Sequence, residues 1–525
     1  MKRLLLILAA CSAPDRAPHW RAAGNAQPHD GGTLRLSVKD ELRTLDPAIA
    51  YDDVSSWVLH SIYATLVDFD STLQLRERLA EHYAIEDAGK TLHFWLRAGI
   101  TYEDGRPIVA ADFKTSLERV LAMPESPFGQ YLASIDGADA MLAGKATTCP
   151  GIEARGDREL VLHLTKPDRL LLPALAMSFA APLPADYLAK VGAELRRRPL
   201  ASGRFTLGAW DEGRRITLLR NPHLQPGDHV FLDEIDVLES VPRDTQFLMF
   251  ERGELDAADR LTSADYVWLV SQAPWQPYLH RAVGLNAFGV RMNTRRKPFD
   301  DRRVRQALNY ALDKDHTVKL LNGAAVASHG ILPPGMPGRA DLAPYPHDPA
   351  KARALLAEAG YPHGFDVEYV TFPDEEAEKV AASLQADLGE VGVHVRVALM
   401  SLSAFQSEVG RPDGAPFSFW AWTGDFPDPG NFIDVNFASR MIADTNSNNN
   451  TFYASPALDA AIDAGDYAKA ERILYDDAPW IWNYHRESVE VTQPYVKGYE
   501  PHPVWGRDYT SAWLDVGPDG KPVPR

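Results

Sequence analysis

The first part of the chain alternates apolar and polar residues in short runs, as half-buried β-strands do. Residues 33–38 show this alternation, and residues 92–96 and 160–164 repeat it between Gly and Pro residues. Residues 110–122 instead place their apolar side chains at helical spacing on one face. We therefore predict strands with helical insertions in this region.

The second half has the pattern of an α/β unit. Asp348 precedes a proline and is a candidate N-cap, and Gly360 is a candidate end for the helix that follows. Residues 365–370 are predicted to form a strand, 374–391 a helix and 393–397 a second strand. A strand, a helix and a strand in this order predict a right-handed crossover between two parallel strands.

Length and composition are those of a large acidic globular protein. The chain has 525 residues, of which 45% are hydrophobic and 24% charged, so it has room for several domains. Its 54 Lys and Arg residues against 72 Asp and Glu residues give a net charge of −18. Such a charge repels phosphate backbones, so we expect no nucleic-acid partner.

The N-terminus has the layout of an export signal. Lys2 and Arg3 precede the apolar run 4–10, which ends in small residues before Cys11. This junction resembles a bacterial lipoprotein signal, so we expect residues 1–10 to be a signal peptide and Cys11 to be lipidated. Residues 11–31 lack apolar periodicity and are predicted to be a flexible tether. The alternative is an N-terminal apolar patch without a targeting role.

The residues do not point to catalysis. Cys149 is the second of two cysteines and, if Cys11 carries lipid, has no disulfide partner, so we interpret it as a turn residue. The chain contains no Gly-x-Ser-x-Gly, His-Glu-x-x-His or Cys-x-x-Cys motif. We expect neither a metal nor a cofactor, and no enzyme activity. The polar run 446–450 is predicted to be a solvated connection.

A series of short blocks in fixed order carries a family resemblance. The blocks are 44–47 (TLDP), 62–67 (IYATLV), 96–107 (LRAGITYEDGRP), 112–113 (DF), 202–205 (SGRF), 220–222 (RNP), 292–294 (MNT), 298–308 (PFDDRRVRQAL), 332–337 (LPPGMP), 422–429 (WTGDFPDP) and 496–499 (VKGY). In this order and spacing the chain resembles the family 5 extracellular solute-binding proteins, the oligopeptide- and dipeptide-binding receptors of ABC importers. The resemblance extends from about residue 32 to beyond residue 500.

The resemblance implies a mixed α/β protein with the two-lobed clamshell of type II periplasmic binding proteins and an extra inserted domain. Lobe one would comprise 32–69, 195–286 and 494–525. The inserted domain would comprise 70–194, and lobe two 287–493. The chain would cross between the lobes near 286–290 and 490–495.

The resemblance also implies a site. Asp425 matches the aspartate that binds the α-ammonium group of a peptide, and a buried ammonium needs such a paired anion. The alternative is a solvated loop carboxylate. The peptide main chain would be held like an added strand by backbone groups of Trp422, Thr423 and Gly424. The opposing segment would be Tyr51, Asp52 and Asp53. Side-chain pockets are expected from Trp420, Trp422, Phe128 and Tyr131, although each is by default a core aromatic.

The implied partners are short peptides, the permease and ATPase subunits of an ABC importer, and a membrane through the lipid anchor. We expect a monomer in the periplasm or another extracytoplasmic space. Residues 371–376 are acidic where dipeptide receptors present an arginine to the ligand carboxylate, so the carboxylate anchor and peptide length stay open. The alternatives are a receptor of the same fold for a metal or haem chelate or an oligosaccharide, a receptor that feeds signalling, and an exported hydrolase.

Overall fold

A computed structural model describes residues 17–25 and 27–524. Its strands are β1 (Trp20–Arg21), β2 (Thr33–Ser37), β3 (Val67–Phe69), β4 (Leu75–Glu77), β5 (Ala80–Glu86), β6 (Thr91–Leu96), β7 (Ile152–Arg155), β8 (Glu159–His163), β9 (Phe205–Asp211), β10 (Arg215–Arg220), β11 (Glu234–Leu238), β12 (Ala257–Asp259), β13 (Leu279–Val283), β14 (Asn286–Met292), β15 (Ala325–Ala327), β16 (Phe365–Thr371), β17 (Val393–Leu399), β18 (Phe417–Thr423), β19 (Trp480–Thr492), β20 (Val496–Lys497), β21 (Trp513–Leu514) and β22 (Val523–Pro524).

The α-helices lie between these strands. They are α1 (Asp53–Ile62), α2 (Ala110–Ala122), α3 (Ala138–Leu142), α4 (Leu171–Ala174), α5 (Ala185–Val191), α6 (Arg243–Glu251), α7 (Ser263–Ser271), α8 (Arg302–Ala311), α9 (Lys314–Leu320), α10 (Pro349–Glu358), α11 (Glu375–Gly389), α12 (Leu402–Val409), α13 (Gly430–Phe437), α14 (Pro456–Asp463) and α15 (Tyr467–Asp477). In the described part of the chain, no helix combines the length and the apolar character that crossing a bilayer requires.

Two four-stranded sheets build the first part of the molecule. One has the order β2-β11-β10-β9, in which β2 and β11 are parallel and the other neighbours antiparallel. The other has the order β5-β6-β8-β7 and is antiparallel throughout. Apolar residues of both sheets belong to one hydrophobic cluster, which includes Leu36, Phe94 and Phe113. The expected inserted domain therefore shares its core with lobe one.

The second part is built on a larger mixed sheet of order β12-β19-β14-β18-β16-β17. β16 and β17 are parallel along their whole length and are joined by α11, so the predicted strand-helix-strand crossover is confirmed. The predicted start of α10 is also confirmed, because the Asp348 side chain accepts a hydrogen bond from the Lys351 amide. Apolar side chains of these helices pack on the sheet through Val367, Leu384 and their neighbours.

β19 connects the two parts. Its first half pairs with β14 and β15, and its last residues pair with β12 and β13. β13 and β14 follow each other in the chain and lie beside the two halves of β19. The chain thus passes between the parts along two neighbouring paths. Val491, near the end of β19, packs in a cluster with Phe250 of α6, on the lobe-one side. The domain boundaries given above remain predictions.

The described part of the predicted tether contacts the body of the protein. β1 pairs with β22, and the amides of Gly24 and Asn25 donate to the Asp515 carboxylate. Because these bonds satisfy backbone groups over 20–25, this stretch differs from the free tether that its composition predicts. The expected signal peptide 1–10 and Cys11 lie outside the described residues.

The polar run 446–450 is solvated only at Asn446 and Asn448, and the prediction is wrong for its three buried residues. Asn449 is completely buried, and its side-chain amide donates to the carbonyls of Ala438 and Tyr453. The Asn450 carbonyl accepts from the guanidinium of Arg291, which is itself completely buried. Asparagine amides here satisfy buried backbone carbonyls, a role that cannot be distinguished from loop solvation in a single sequence.

Cys149 is a buried turn residue, as interpreted. Its Sγ lies 3.2 Å from the Asp136 carbonyl, and burial raises the pKa of the thiol. A raised pKa disfavours the nucleophilic thiolate.

Candidate functional site

A cavity of about 390 Å³ lies between segments that come from both parts of the molecule. Its lining comes from separate parts of the chain: the end of β2, the start of α1, Phe128 and 177–179, Arg243, Asp259 and Arg260, 423–425, Ser488 and Glu490, and 504–507. Cavities of this volume fall near the lower end of the range for small-ligand sites. The cavity contains Asp425, and also Tyr51, Asp52, Asp53, Phe128, Thr423 and Gly424 of the expected site.

The Asp425 carboxylate joins three parts of the chain. Its Oδ1 accepts a hydrogen bond from the Tyr51 hydroxyl at 2.7 Å, and its Oδ2 accepts one from the Tyr131 hydroxyl. Burial raises the pKa of both tyrosines, and the negative charge of Asp425 raises them further. Among the described residues no Arg, Lys or His forms an ion pair with Asp425. The carboxylate is therefore oriented by neutral donors and keeps acceptor capacity for a cation.

Local backbone contacts hold Asp425 at the end of β18. The Gly424 amide donates to the Leu285 carbonyl at 2.7 Å, and the Asp425 amide donates to Oδ1 of Asn431 at 2.8 Å. A Cβ on Gly424 would lie 2.5 Å from the ring of Phe432, so only glycine fits this position without displacing the ring. The turn is thus fixed on both sides of the carboxylate.

β18 presents a partly free edge beside this turn. It pairs with β14 along its whole length, whereas β16 meets it at Val370 and Ser418. Within the described chain, the last residues of β18 up to Thr423 have no strand on that second side. The main chain of an extended ligand could form hydrogen bonds with this edge, which is the role expected for Trp422, Thr423 and Gly424.

The opposite wall is the start of a helix and not a second strand. Asp52 is the N-cap of α1, and its side chain accepts from the Ser55 amide at 2.9 Å. Asp53 is the first residue of α1 and forms an ion pair with Arg260. The segment therefore contributes side chains, above all Tyr51, which is 55% exposed.

The aromatic residues divide into two groups. Phe128 is buried, lines the cavity and packs edge-on against Tyr51, with ring centroids 5.5 Å apart. Tyr131 reaches the site through its hydroxyl group. Trp420 and Trp422 do not line the cavity. Trp422 donates from Nε1 to the Asn431 carbonyl and so supports the turn that carries Asp425, whereas Trp420 stacks on Phe405.

Several charged residues of the cavity were not found from the sequence. Glu490 and Arg507 line it, and Glu490 accepts hydrogen bonds from the hydroxyls of Tyr499 and Tyr509. Burial raises the pKa of Glu490, and Arg507 also pairs with Asp259. Lys39, Arg243 and Arg260 line the cavity as well. These residues belong to no motif, and only the folding of distant strands brings them together.

No metal centre is present in the described part of the chain, because no three His, Cys, Asp or Glu side chains are grouped so as to hold an ion.

Comparison with known proteins identifies the class. Residues 74–444 match the bacterial extracellular solute-binding proteins, family 5, in the section described as its middle part. The chain therefore belongs to this family, and the predicted membership is confirmed.

Relatives extend the likeness over nearly the whole chain. The chain is 27% identical over 496 residues to the glutathione-binding protein GsiB of Salmonella typhimurium strain LT2, covering 91% of this chain and 94% of the relative. Among solved structures, the periplasmic binding protein DppA from Helicobacter pylori in complex with the peptide STSA is 26% identical, with a TM-score of 0.73 over 93% of this chain and 99% of that one. Clavulanic acid biosynthesis oligopeptide binding protein 2 is 24% identical, with a TM-score of 0.84 over 95% and 99%. The two-lobed fold of type II periplasmic binding proteins is thereby confirmed.

Proposed function

We propose that this protein binds short peptides between its lobes and delivers them to an ABC permease. The observation that carries the proposal is the Asp425 carboxylate, which lines the cavity and has no ion-pair partner among residues 17–25 and 27–524. The ammonium group at the start of a peptide would supply the missing positive charge. A charge-assisted hydrogen bond between these groups would also decide which end of the peptide enters the turn.

The edge of β18 supports the same proposal. A peptide whose ammonium group binds Asp425 could run along the last residues of β18 as an added strand. Hydrogen bonds of this kind recognise the main chain, which all peptides share, and leave the side chains to the rest of the cavity.

The relatives favour a short ligand with a free amino group. The Salmonella relative is named for glutathione, which is a tripeptide with a free α-amino group, and the Helicobacter relative was solved with the peptide STSA. The cavity of about 390 Å³ suits ligands of this size better than long peptides.

The proposal places the protein outside the cytoplasm, in the periplasm or an equivalent space, as a monomer. Cys11 would carry lipid and hold the protein at a membrane near the permease and ATPase subunits. The experiment for the anchor is mass spectrometry of the mature N-terminus, which should show an acylated Cys11. Globomycin-insensitive processing and an unmodified N-terminus would contradict it.

The binding test compares peptides that differ at the amino end. Calorimetric titration with tri-alanine and with N-acetyl-tri-alanine should show binding of the free peptide and little binding of the acetylated one. Asp425→Asn should weaken binding of tri-alanine by about 2 kcal/mol or more, because the ammonium group loses its anionic partner. Asp444→Asn is the matched control, since Asp444 is exposed on the same lobe outside the cavity.

Equal affinity for the free and acetylated peptides would contradict the role of Asp425. Mass spectrometry of ligands retained during purification provides a second readout. A retained sugar or metal chelate would favour a receptor of the same fold for another solute.

A further inference from the structure

Each of the two parts of the molecule receives a buried apolar side chain from the other. Phe426, in the turn after β18, is completely buried in the hydrophobic cluster that the two four-stranded sheets share. The other buried members of that cluster, among the described residues, lie in 34–257 and 495–516. Leu73, in the turn between β3 and β4, is buried in a second cluster, whose other described buried members lie in 285–482. Two side chains therefore cross between the parts in opposite directions.

The hairpin that carries Leu73 is fixed to the first part. Val67 and Phe69 of β3 are buried in the cluster of the first part, and β3 pairs with β4 along its whole length. The Asp70 carboxylate holds the turn, because its Oδ1 accepts hydrogen bonds from the amides of the two residues that flank Leu73. Its Oδ2 accepts a further hydrogen bond from Nε of Arg76 at 2.7 Å. The position of Leu73 is thus set by the first part and not by the second.

The backbone at Leu73 is also unusual. Its φ of 64° lies in the left-handed region, which a residue with a bulky side chain seldom adopts. Such strain persists where the surrounding structure over-determines it, as the hydrogen bonds to Asp70 do here. It is found at ligand clamps and switch regions more often than elsewhere. The strained residue is the one that enters the cluster of the second part.

Glycine residues of the second part lie where the first part approaches it. A Cβ on Gly335 would lie 3.7 Å from Cδ1 of Leu73, which is ordinary contact. A Cβ on Gly430, at the start of α13, would lie 2.8 Å from Cδ2 of Leu170, a residue just before α4. A larger residue at Gly430 would therefore separate the two surfaces.

Phe426 connects this contact to the turn that carries Asp425. The two residues are adjacent in the chain, and the ring of Phe426 packs edge-on against Tyr131, with centroids 5.7 Å apart. The Tyr131 hydroxyl donates to the Asp425 carboxylate. A ligand that binds Asp425 therefore also stabilises the buried position of Phe426. Leu73, by contrast, does not line the cavity.

We propose that Leu73 and Phe426 form an apolar latch that closes the two parts on each other and holds a fraction of the molecules closed before a ligand binds. Burial of apolar surface drives the closure, and the latch supplies that surface from the protein itself. Because Leu73 lies outside the cavity, the latch favours closure equally for every peptide. The expected effect on peptide binding rests on the proposed function, whereas the effect on the ligand-free protein does not.

The first experiment is calorimetric titration of the full-length protein with tri-glycine, tri-alanine and Ala-Phe-Ala. Leu73→Ala should weaken binding of all three by the same factor, about fivefold, because the closed state that binds them becomes rarer. The conservative variant Leu73→Met, which keeps the apolar volume, should bind like the wild type. Leu188→Ala is the matched control, since Leu188 packs on the cluster of the first part and does not line the cavity.

The second experiment uses no ligand. Small-angle X-ray scattering of the ligand-free protein should give a larger radius of gyration for Leu73→Ala and for Phe426→Leu than for the wild type. Leu73→Met and Leu188→Ala should keep the wild-type radius. Urea unfolding of each variant shows that the change in radius comes from opening and not from unfolding.

The outcomes separate the latch from the proposed function. Equal radii for the ligand-free wild type and Leu73→Ala would overturn the latch, and so would losses of affinity that differ among the three peptides. If the wild type binds peptides and Leu73→Ala matches it in both experiments, the proposed function stands and the latch is disproved. If the wild type binds none of the peptides, the proposed function fails, and the scattering comparison still decides whether the latch exists.

Discussion

The Tyr51 hydroxyl lies 2.7 Å from Oδ1 of Asp425, although the two residues are 374 positions apart in the chain. This contact joins the segment before α1 to the turn after β18, and both segments line the cavity. The Tyr131 hydroxyl, from the segment between α2 and α3, donates to the other carboxylate oxygen. If Asp425 binds the ligand as proposed, ligand recognition and contact across the cavity depend on one side chain. Shifts in an open–closed equilibrium upon binding would act through it.

Tyr131→Phe should weaken peptide binding about tenfold, which corresponds to about 1.4 kcal/mol and to the loss of one hydrogen bond to a charged acceptor. The physical reason is that Asp425 loses a donor that fixes its orientation. Calorimetric titration measures the change. Tyr278→Phe is the control, because its ring lies outside the cavity near Lys497. Unchanged affinity in Tyr131→Phe would show that the hydroxyl does not position the carboxylate.

Gly424→Ala should weaken binding and also lower stability by about 1–3 kcal/mol, the usual cost of overpacking a core. The added Cβ would lie 2.5 Å from the buried ring of Phe432, which has little room to move. Urea unfolding and titration measure the two effects. Gly389→Ala is the control, because a Cβ at the end of α11 meets no atom within 4 Å. A Gly424→Ala protein with wild-type stability and affinity would contradict the geometry of this turn.

Arg291→Met should lower stability by about 2–4 kcal/mol, because buried acceptors lose their donor. The completely buried guanidinium donates to Oγ of Ser418 and to the carbonyls of Asn450 and Ala415. Burial lowers the pKa of Arg291 to about 9. Urea unfolding measures the loss, and Arg295→Met, at an exposed position nearby, is the control. A small loss would show that water can replace the guanidinium.

Lys314→Met should raise stability at neutral pH, and the gain should shrink as the pH rises. Burial lowers the pKa of Lys314 to about 7, from an ordinary value of 10.5, and its Nζ donates to the Ser328 carbonyl. Between these values the unfolded chain binds more protons than the folded one. The stability of the wild type therefore increases from pH 7 to pH 10.5, and the full cost of burying the charge is present below pH 7.

The measurement for Lys314→Met is urea unfolding between pH 6 and pH 10. Lys319→Met, on the exposed face of the same helix α9, should show no such pH dependence. A difference between Lys314→Met and the wild type that stays constant with pH would show that Lys314 is not the titrating group.

Local patterns predicted individual elements well. Residues 33–38 and 92–96, in which apolar and polar side chains alternate, contain β2 and β6. Residues 110–122, whose apolar side chains recur at helical spacing, form α2. The N-cap at Asp348 and the crossover from β16 to β17 were also read correctly. These features depend on backbone propensities and on which face of a short segment is apolar, and both are properties of neighbouring residues.

The site was predicted only in part. Seven of the ten expected binding residues line the cavity, Asp425 among them, and their role in binding stays a prediction. Trp420 and Trp422 were expected to line a side-chain pocket, yet Trp422 supports the turn from behind and Trp420 packs on Phe405. Which face of β18 borders the cavity depends on the sheet and helices around it, and no local pattern contains that information.

By itself, the sequence determined the family and several of the elements, and it singled out Asp425. Only the tertiary structure decided that Tyr51 and Tyr131 bind that anion, that Asn449 is buried, and that Arg260 shares its cavity. These relationships join residues that are far apart in the chain. They arise because burial of apolar surface brings distant strands together, and the polar groups carried with them must then find partners where they meet.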